Sequence, residues 1–146
     1  MNPELETALR DEFARWEGTV AMPVPYSEIE EAERRLGVSF PDDYRDFIHR
    51  YGGAVIGGTS ILGLRQPPLM PDEPPFVTDE SLQSRSELPA PYNKIVVISI
   101  DGFGNPIGFV PPDPSIIIFN YDFGGRSVLA PSFEEYVALL LSGTDA

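Results

Sequence analysis

The chain has 146 residues, 23 of them Asp or Glu against 10 Lys or Arg, giving a formal charge of −13 and a pI near 4.2. That length suits a single domain spanning 1–146 and leaves no room for a catalytic domain beside a regulatory one. Gripping nucleic acid or an anionic membrane takes clustered cations, so this balance excludes both and points to a basic partner.

With 42% hydrophobic and 11% aromatic residues, the chain is too apolar to stay disordered despite its charge. No window approaches the length of a membrane-spanning helix, and the acidic start Met1-Asn2-Pro3-Glu4 lacks the profile of a secretory leader, so the expected location is cytoplasmic. The absence of cysteine removes disulfides, thiolate chemistry and cysteine-bound metals, and the single His49 removes any site needing two histidines. No metal and no cofactor is expected.

In chain order, Asn2 caps a first helix with Pro3 in its first turn, and Leu5, Ala8, Leu9, Phe13 and Trp16 form its inner stripe up to a stop at Gly18. The run Ser27-Glu28-Ile29-Glu30 reads as a capping box opening a second helix, with Ile29, Ala32 and Leu36 inward and Gly37 at its end. A third helix begins near Pro41, with Asp42 and Asp43 where the helix dipole favours anions, and buries Tyr44, Phe47, Ile48 and Tyr51 before stopping at Gly52-Gly53. The short link between these two helices predicts a packed helical hairpin.

The period then changes. Ala54-Val55-Ile56 and Ser60-Ile61-Leu62 around Gly57-Gly58 predict a hairpin or a strand and a bend. The prolines at 67, 68, 71, 74 and 75 predict a surface excursion, and a short helix follows from about Thr78 to Arg85. Four strands follow, at Ile95–Ile98, Ile107–Val110, Ile116–Phe119 and Arg126–Leu129, linked by turns at Asp101–Asn105, Pro111–Pro114 and Asp122–Gly125. Ser132-Phe133-Glu134-Glu135 is a second capping box, opening a last helix that buries Phe133, Tyr136, Val137, Leu140 and Leu141. The layout is α+β, with N-terminal helices and a C-terminal helix packed on a largely antiparallel or mixed sheet. Turns rather than helical crossovers join the strands, which argues against a doubly wound parallel sheet.

Motifs of chemistry are sparse. Neither Gly52–Gly58 nor Gly102–Asn105 has the spacing of a phosphate-binding loop, and both read as helix stops and tight turns. The Asp101–Asn105 loop resembles the start of a calcium loop, but Pro112 stands where the closing glutamate belongs, so Asp101 is expected to cap its own turn. The pairs Asp42/Asp46 and Glu30/Glu33 lie at helical spacing and read as solvated surface or contacts to cations rather than as acid/base machinery. Asp101 and Asp122, in loops at strand ends, are better placed, yet no base or metal set converges on them in the sequence. His49 is expected to lie partly exposed, and no serine sits in a nucleophile elbow.

Phe13, Trp16, Tyr44, Phe47, Tyr51, Phe133 and Tyr136 fall at core spacing; Tyr26, Phe76, Tyr92, Phe103, Phe109 and Tyr121 do not. Phe103, at a hairpin tip, is hard to bury locally and is the ring most suited to a partner. Residues 101–146 carry 6 acids and one cation, Arg126, so a negative field over the strand loops and last helix would steer a basic protein inward. The same acidity also serves solubility.

The stretch from Tyr26 to Gly53 carries a capped helix with Glu33, Leu36 and Gly37, then Pro41, Tyr44, Phe47 and Tyr51 before a glycine stop. This pattern resembles the signature of the SUKH superfamily, the Smi/Knr-type domain, with Phe40 where leucine is common. The strand and turn Ile98–Asn105 and the helix start Ser132–Tyr136 extend the resemblance over about residues 20–141.

The resemblance implies an α+β fold and no enzyme activity. Bacterial members are similar to immunity proteins that neutralise toxins, often nucleases or deaminases, and fungal relatives act in cell-wall regulation through protein contacts. The expected role is therefore toxin neutralisation through an interface drawing on Asp101, Phe103, Asp122, Glu134 and Glu135. The alternatives are a regulatory scaffold with an endogenous partner and, behind it, a small-ligand carrier or enzyme at the Asp101/Asp122 end. A homodimer stays open.

Overall fold

The computed structural model describes residues 1–70 and 76–143. Three helices come first: α1 (Pro3–Arg15), α2 (Tyr26–Leu36) and α3 (Asp42–Tyr51). The hairpin of β1 (Ala54–Ile56) and β2 (Thr59–Ile61) precedes α4 (Val77–Arg85), and a 3-10 turn at Tyr92–Lys94 leads into a meander. The meander is β3 (Val96–Ile100), β4 (Pro106–Phe109), β5 (Ile116–Asn120) and β6 (Gly125–Ala130), closed by α5 (Phe133–Leu141). Of the expected proline-rich excursion, Pro71, Pro74 and Pro75 lie outside the described residues.

Local chemistry explains most of these boundaries. Asn2 Oδ1 accepts from the Glu4 amide at 2.8 Å, so the expected cap of α1 forms; Ser132 Oγ accepts from the Glu135 amide at 3.2 Å, which is the serine half of the capping box expected there. The capping box expected at Ser27 does not form. α2 begins earlier, at Tyr26, because Pro25 occupies the cap position and its carbonyl accepts from the amides of Glu28 and Ile29 at 3.1 and 3.3 Å. Ser27 is thereby inside the first turn, where its hydroxyl cannot cap. Gly37 ends α2 in the left-handed conformation, with φ of 68°.

The strand order is β3-β4-β5-β6, with every pairing antiparallel, and β1-β2 forms a separate two-stranded sheet. The two are stitched together where the Leu62 amide donates to the Ile98 carbonyl at 2.7 Å and Ser99 Oγ donates to the Ser60 carbonyl at 2.8 Å. The glycine stop after α3 has a packing reason. A Cβ on Gly63 would lie 2.0 Å from the Gly52 carbonyl oxygen, so the chain after β2 can pass α3's end only backbone against backbone.

Helices cover one face of the large sheet. Val96, Ile98, Ile107, Phe109 and Ile116 pack there with Leu9, Ile29, Tyr44, Phe47, Phe133 and Val137. Tyr44 is buried at the centre, its ring edge-on to Phe40, Phe109 and Phe133, and its hydroxyl donates to the Leu62 carbonyl at 2.6 Å. Phe109, which the helical spacing leaves unassigned, is thus a core ring. The other face is not bare: Ile95, Val97, Ile117 and Phe119 are roofed by Leu88 and Tyr92 from the segment after α4.

Trp16 departs from its expected place in the core and is 56% exposed. α1 ends at Arg15, and the extended backbone of Trp16, with φ −119° and ψ 98°, carries its side chain off the helical stripe.

Candidate interaction surface

Two hairpin turns define one end of the meander. Residues 101–105 join β3 to β4, and residues 121–124 join β5 to β6. The pairings Ile100↔Pro106, Ile107↔Ile118 and Asn120↔Gly125 place both turns at the same end of the sheet. Two strand spacings separate the hairpins, so their tips lie about 10 Å apart.

The first tip is built around Asp101. Its Oδ1 accepts from the amides of Phe103 and Asn105 at 2.9 and 2.8 Å, and its Oδ2 accepts from Asn105 Nδ2 at 3.1 Å. Partial burial works against ionisation, but these donors outweigh it and hold the Asp101 carboxyl below the usual aspartate range. Asp101 therefore caps its own turn, as expected. Asn105, only 5% exposed, also reaches across, its Oδ1 accepting from the Tyr121 amide at 3.1 Å. One buried amide thus ties both tips together. At the second tip, Asn120 Oδ1 accepts from the Asp122 amide at 2.9 Å, and the Asp122 side chain is exposed.

These turns hold their rings away from the fold: Phe103 is 91% exposed and Phe123 is 85% exposed. Tyr121 is also exposed, its hydroxyl donating to Glu87 Oε2 at 3.4 Å. Burial, followed by the neighbouring Glu87 and Asp79 carboxylates, raises the pKa of Glu80 on α4. Burial and the charges of Glu87 and Glu80, together with the Glu87 hydrogen bond, likewise raise that of Tyr121. Between Lys94 and Arg126 the sequence has no Lys or Arg. The tips are therefore aromatic and set in an acidic field.

Glu134 and Glu135 lie elsewhere. They open α5, just after Ala130, which pairs with Ile116 at the opposite end of β5 and β6. The Glu134 amide donates to Asp43 Oδ2 at 3.0 Å, and its carboxylate accepts from the Asn2 amide, so this residue joins α1, α3 and α5. Glu135 is exposed. The structure brings Asp101, Phe103 and Asp122 to one end and keeps the two glutamates at the other.

The sequence reading missed Phe123, Asn105 and the Glu80/Glu87 neighbourhood. A signal for Phe123 was present: both turns place Asp, Phe and Gly within four residues, at Asp101-Gly102-Phe103-Gly104 and at Asp122-Phe123-Gly124. Asn105 gave none, because its partner amide lies 16 residues away.

Of the helical acids, Glu33 and Asp46 are engaged within the fold, while Asp42 is exposed. Glu33 Oε2 accepts from the Phe40 amide at 2.6 Å, and its Oε1 lies 3.3 Å from Arg45 Nε. Asp46 accepts from Arg50 Nε at 2.9 Å, and Arg50 also lies 3.5 Å from Glu6. His49 is half-buried, stacked on Tyr26 with ring centres 3.9 Å apart, and its Nδ1 lies 2.8 Å from the Val24 carbonyl. Among the described residues no group of three His, Cys, Asp or Glu side chains is placed to hold a metal, and no helix is long and apolar enough to cross a membrane.

Residues 23–139 match the SMI1/KNR4 family (SUKH-1). No curated protein matches the chain.

Proposed function

The chain belongs to the SMI1/KNR4 family (SUKH-1), and from that membership we propose that it is an immunity protein that binds and neutralises a cognate toxin. Membership supports the coarser role, a non-enzymatic domain working through protein contacts. The observation that carries the finer reading is the pair of rings, Phe103 and Phe123, held in solvent on rigid turns amid carboxylates. Large exposed rings on a fixed scaffold lose little conformational freedom on binding, which makes them effective anchors at an interface.

The charge suits a nuclease target in particular. A nuclease binds its substrate through a basic groove, and an acidic protein seated there competes with the nucleic acid directly. Neutralisation of this kind takes place in the cytoplasm, where a delivered nuclease meets its substrate.

The test is a titration of the toxin domain encoded beside this protein's own gene, with toxin activity followed in the same samples. Tight binding, of nanomolar order or better, with activity lost at one-to-one stoichiometry is the expected result. Absence of binding at micromolar protein removes that pairing and favours a regulatory scaffold with an endogenous partner.

A further inference from the structure

We propose that the two hairpin tips form one preorganised, two-pronged docking surface for a basic protein face, with Phe103 and Phe123 as its anchors and Asp101, Asp122, Glu80 and Glu87 as its acidic surround. This deepens the protein-binding reading above and rests on it.

Three observations converge on this end of the molecule. The first is exposure: no other described ring is as open to solvent as Phe103 and Phe123, and both project from turns at the same end of the sheet. The second is rigidity. Asn105 bonds to Asp101 in its own turn and to the Tyr121 amide in the other, so the spacing of the prongs is fixed before any partner arrives. Fixing that spacing in advance lowers the ordering cost of binding.

The third is charge. The 31 residues from Ile95 to Gly125 contain no Lys or Arg, Arg126 on β6 being the one cation beside the second tip, whereas Glu33, Asp46 and Glu28 on the helices are ion-paired with Arg45, Arg50 and Arg65. The cost of partly burying Glu80 near Glu87 and Asp79 is not offset by a cation that the described structure supplies at this carboxylate, and an incoming Lys or Arg would relieve it. That complementarity specifies a basic occupant.

Competing surfaces fit less well. The cleft of about 510 Å³ beside Trp16 and Leu69 is lined by Glu12 and Glu17, but α1 also carries Arg10 and Arg15, so its field is mixed. The groove of about 580 Å³ between α1 and α5 includes Glu134, whose carboxylate is already bonded to the Asn2 amide.

The experiment compares the wild-type chain with Phe103→Ala/Phe123→Ala, Glu134→Gln/Glu135→Gln and Trp16→Ala in the toxin titration, with melting temperatures as folding controls. Both phenylalanines are exposed, so the first variant should melt as the wild type does. Its affinity should fall by at least about a hundredfold, while the other two variants change by less than about threefold. Toxin binding that is unaffected by loss of both phenylalanines overturns the surface and leaves the immunity reading standing.

If the wild-type chain binds no toxin, that pairing is removed, the scaffold reading is favoured, and a second measurement decides the surface. The probe is a hexapeptide of alternating arginine and tryptophan, followed through amide chemical shifts. Salt-sensitive shifts concentrated at residues 101–105 and 121–124 retain the tips as a basic-partner surface. Shifts elsewhere, or none, overturn it.

Discussion

Glu80 shows how one residue can oppose the fold that holds it. Burial and the nearby Glu87 and Asp79 charges raise its pKa, so the folded protein binds this proton more tightly than the unfolded chain does. Its ionised form therefore costs stability at neutral pH, and the cost disappears as pH falls through the carboxylate range. Glu80→Gln is expected to raise the melting temperature at pH 7, with the two proteins converging near pH 4, as thermal unfolding over a pH series would read. Asp101 has the opposite sign: its lowered pKa contributes stability above the usual aspartate range that is lost as pH falls through the folded value. The sequence made Asp101's role legible because its partners lie two and four residues away. Of Glu80's environment, the charges of Asp79 and Glu87 lie only one and seven residues away, but the burial that leads the shift was not legible, because it depends on how α4 packs in three dimensions.

Among the elements, α4 depends on one long-range clamp. Arg85 donates from Nε to the Ile95 carbonyl at 2.9 Å, from Nη1 to that of Leu36 at 2.8 Å and from Nη2 to that of Lys94 at 3.2 Å. It thereby ties the end of α4 to the end of α2 and to the approach to β3, using carbonyls that helix ends leave unpaired. Burial lowers its pKa, but no ordinary pH discharges a guanidinium. Arg85→Met keeps much of the aliphatic packing and removes all three donors, and is expected to cost about 2–3 kcal/mol in urea unfolding. Helical periodicity in α4 is weak, and only the start signal near Thr78 and the positions of Leu82 and Arg85 suggested a helix. The strands were clearer, because β-branched runs bounded by Gly and Pro admit few other conformations. The boundary of α2 falls earlier than the serine predicts because two start signals overlap, and the fixed φ of Pro25 acts two residues before Ser27 can.

For the whole molecule, a charge of −13 on 146 residues sets both solubility and encounter. Self-repulsion opposes the compact state, so added salt should raise the melting temperature of the isolated protein modestly. The same salt should slow association with a basic partner. Between about 0.05 and 0.5 M sodium chloride the association rate is expected to fall at least about tenfold while the dissociation rate changes little, as stopped-flow mixing would separate. If the dissociation rate carried the salt dependence instead, the charges would lie in buried pairs at the interface and not in the surrounding field.

Composition, hydrophobic period and turn residues were enough to establish the α+β class and the order of the elements, because both are written in spacings of a few residues; the family came instead from the resemblance carried by the motif from Tyr26 to Gly53. They also placed Phe103 in solvent, since a hairpin tip has nothing local to bury a ring against. Tertiary structure alone decided that Phe103 and Phe123 share an end, that Asn105 locks them together, that Trp16 leaves the core, and that Glu134 and Glu135 face away from the tips. Those facts depend on strand register and on bonds between residues far apart in the chain, and a local pattern carries no information about which distant segment will arrive beside it.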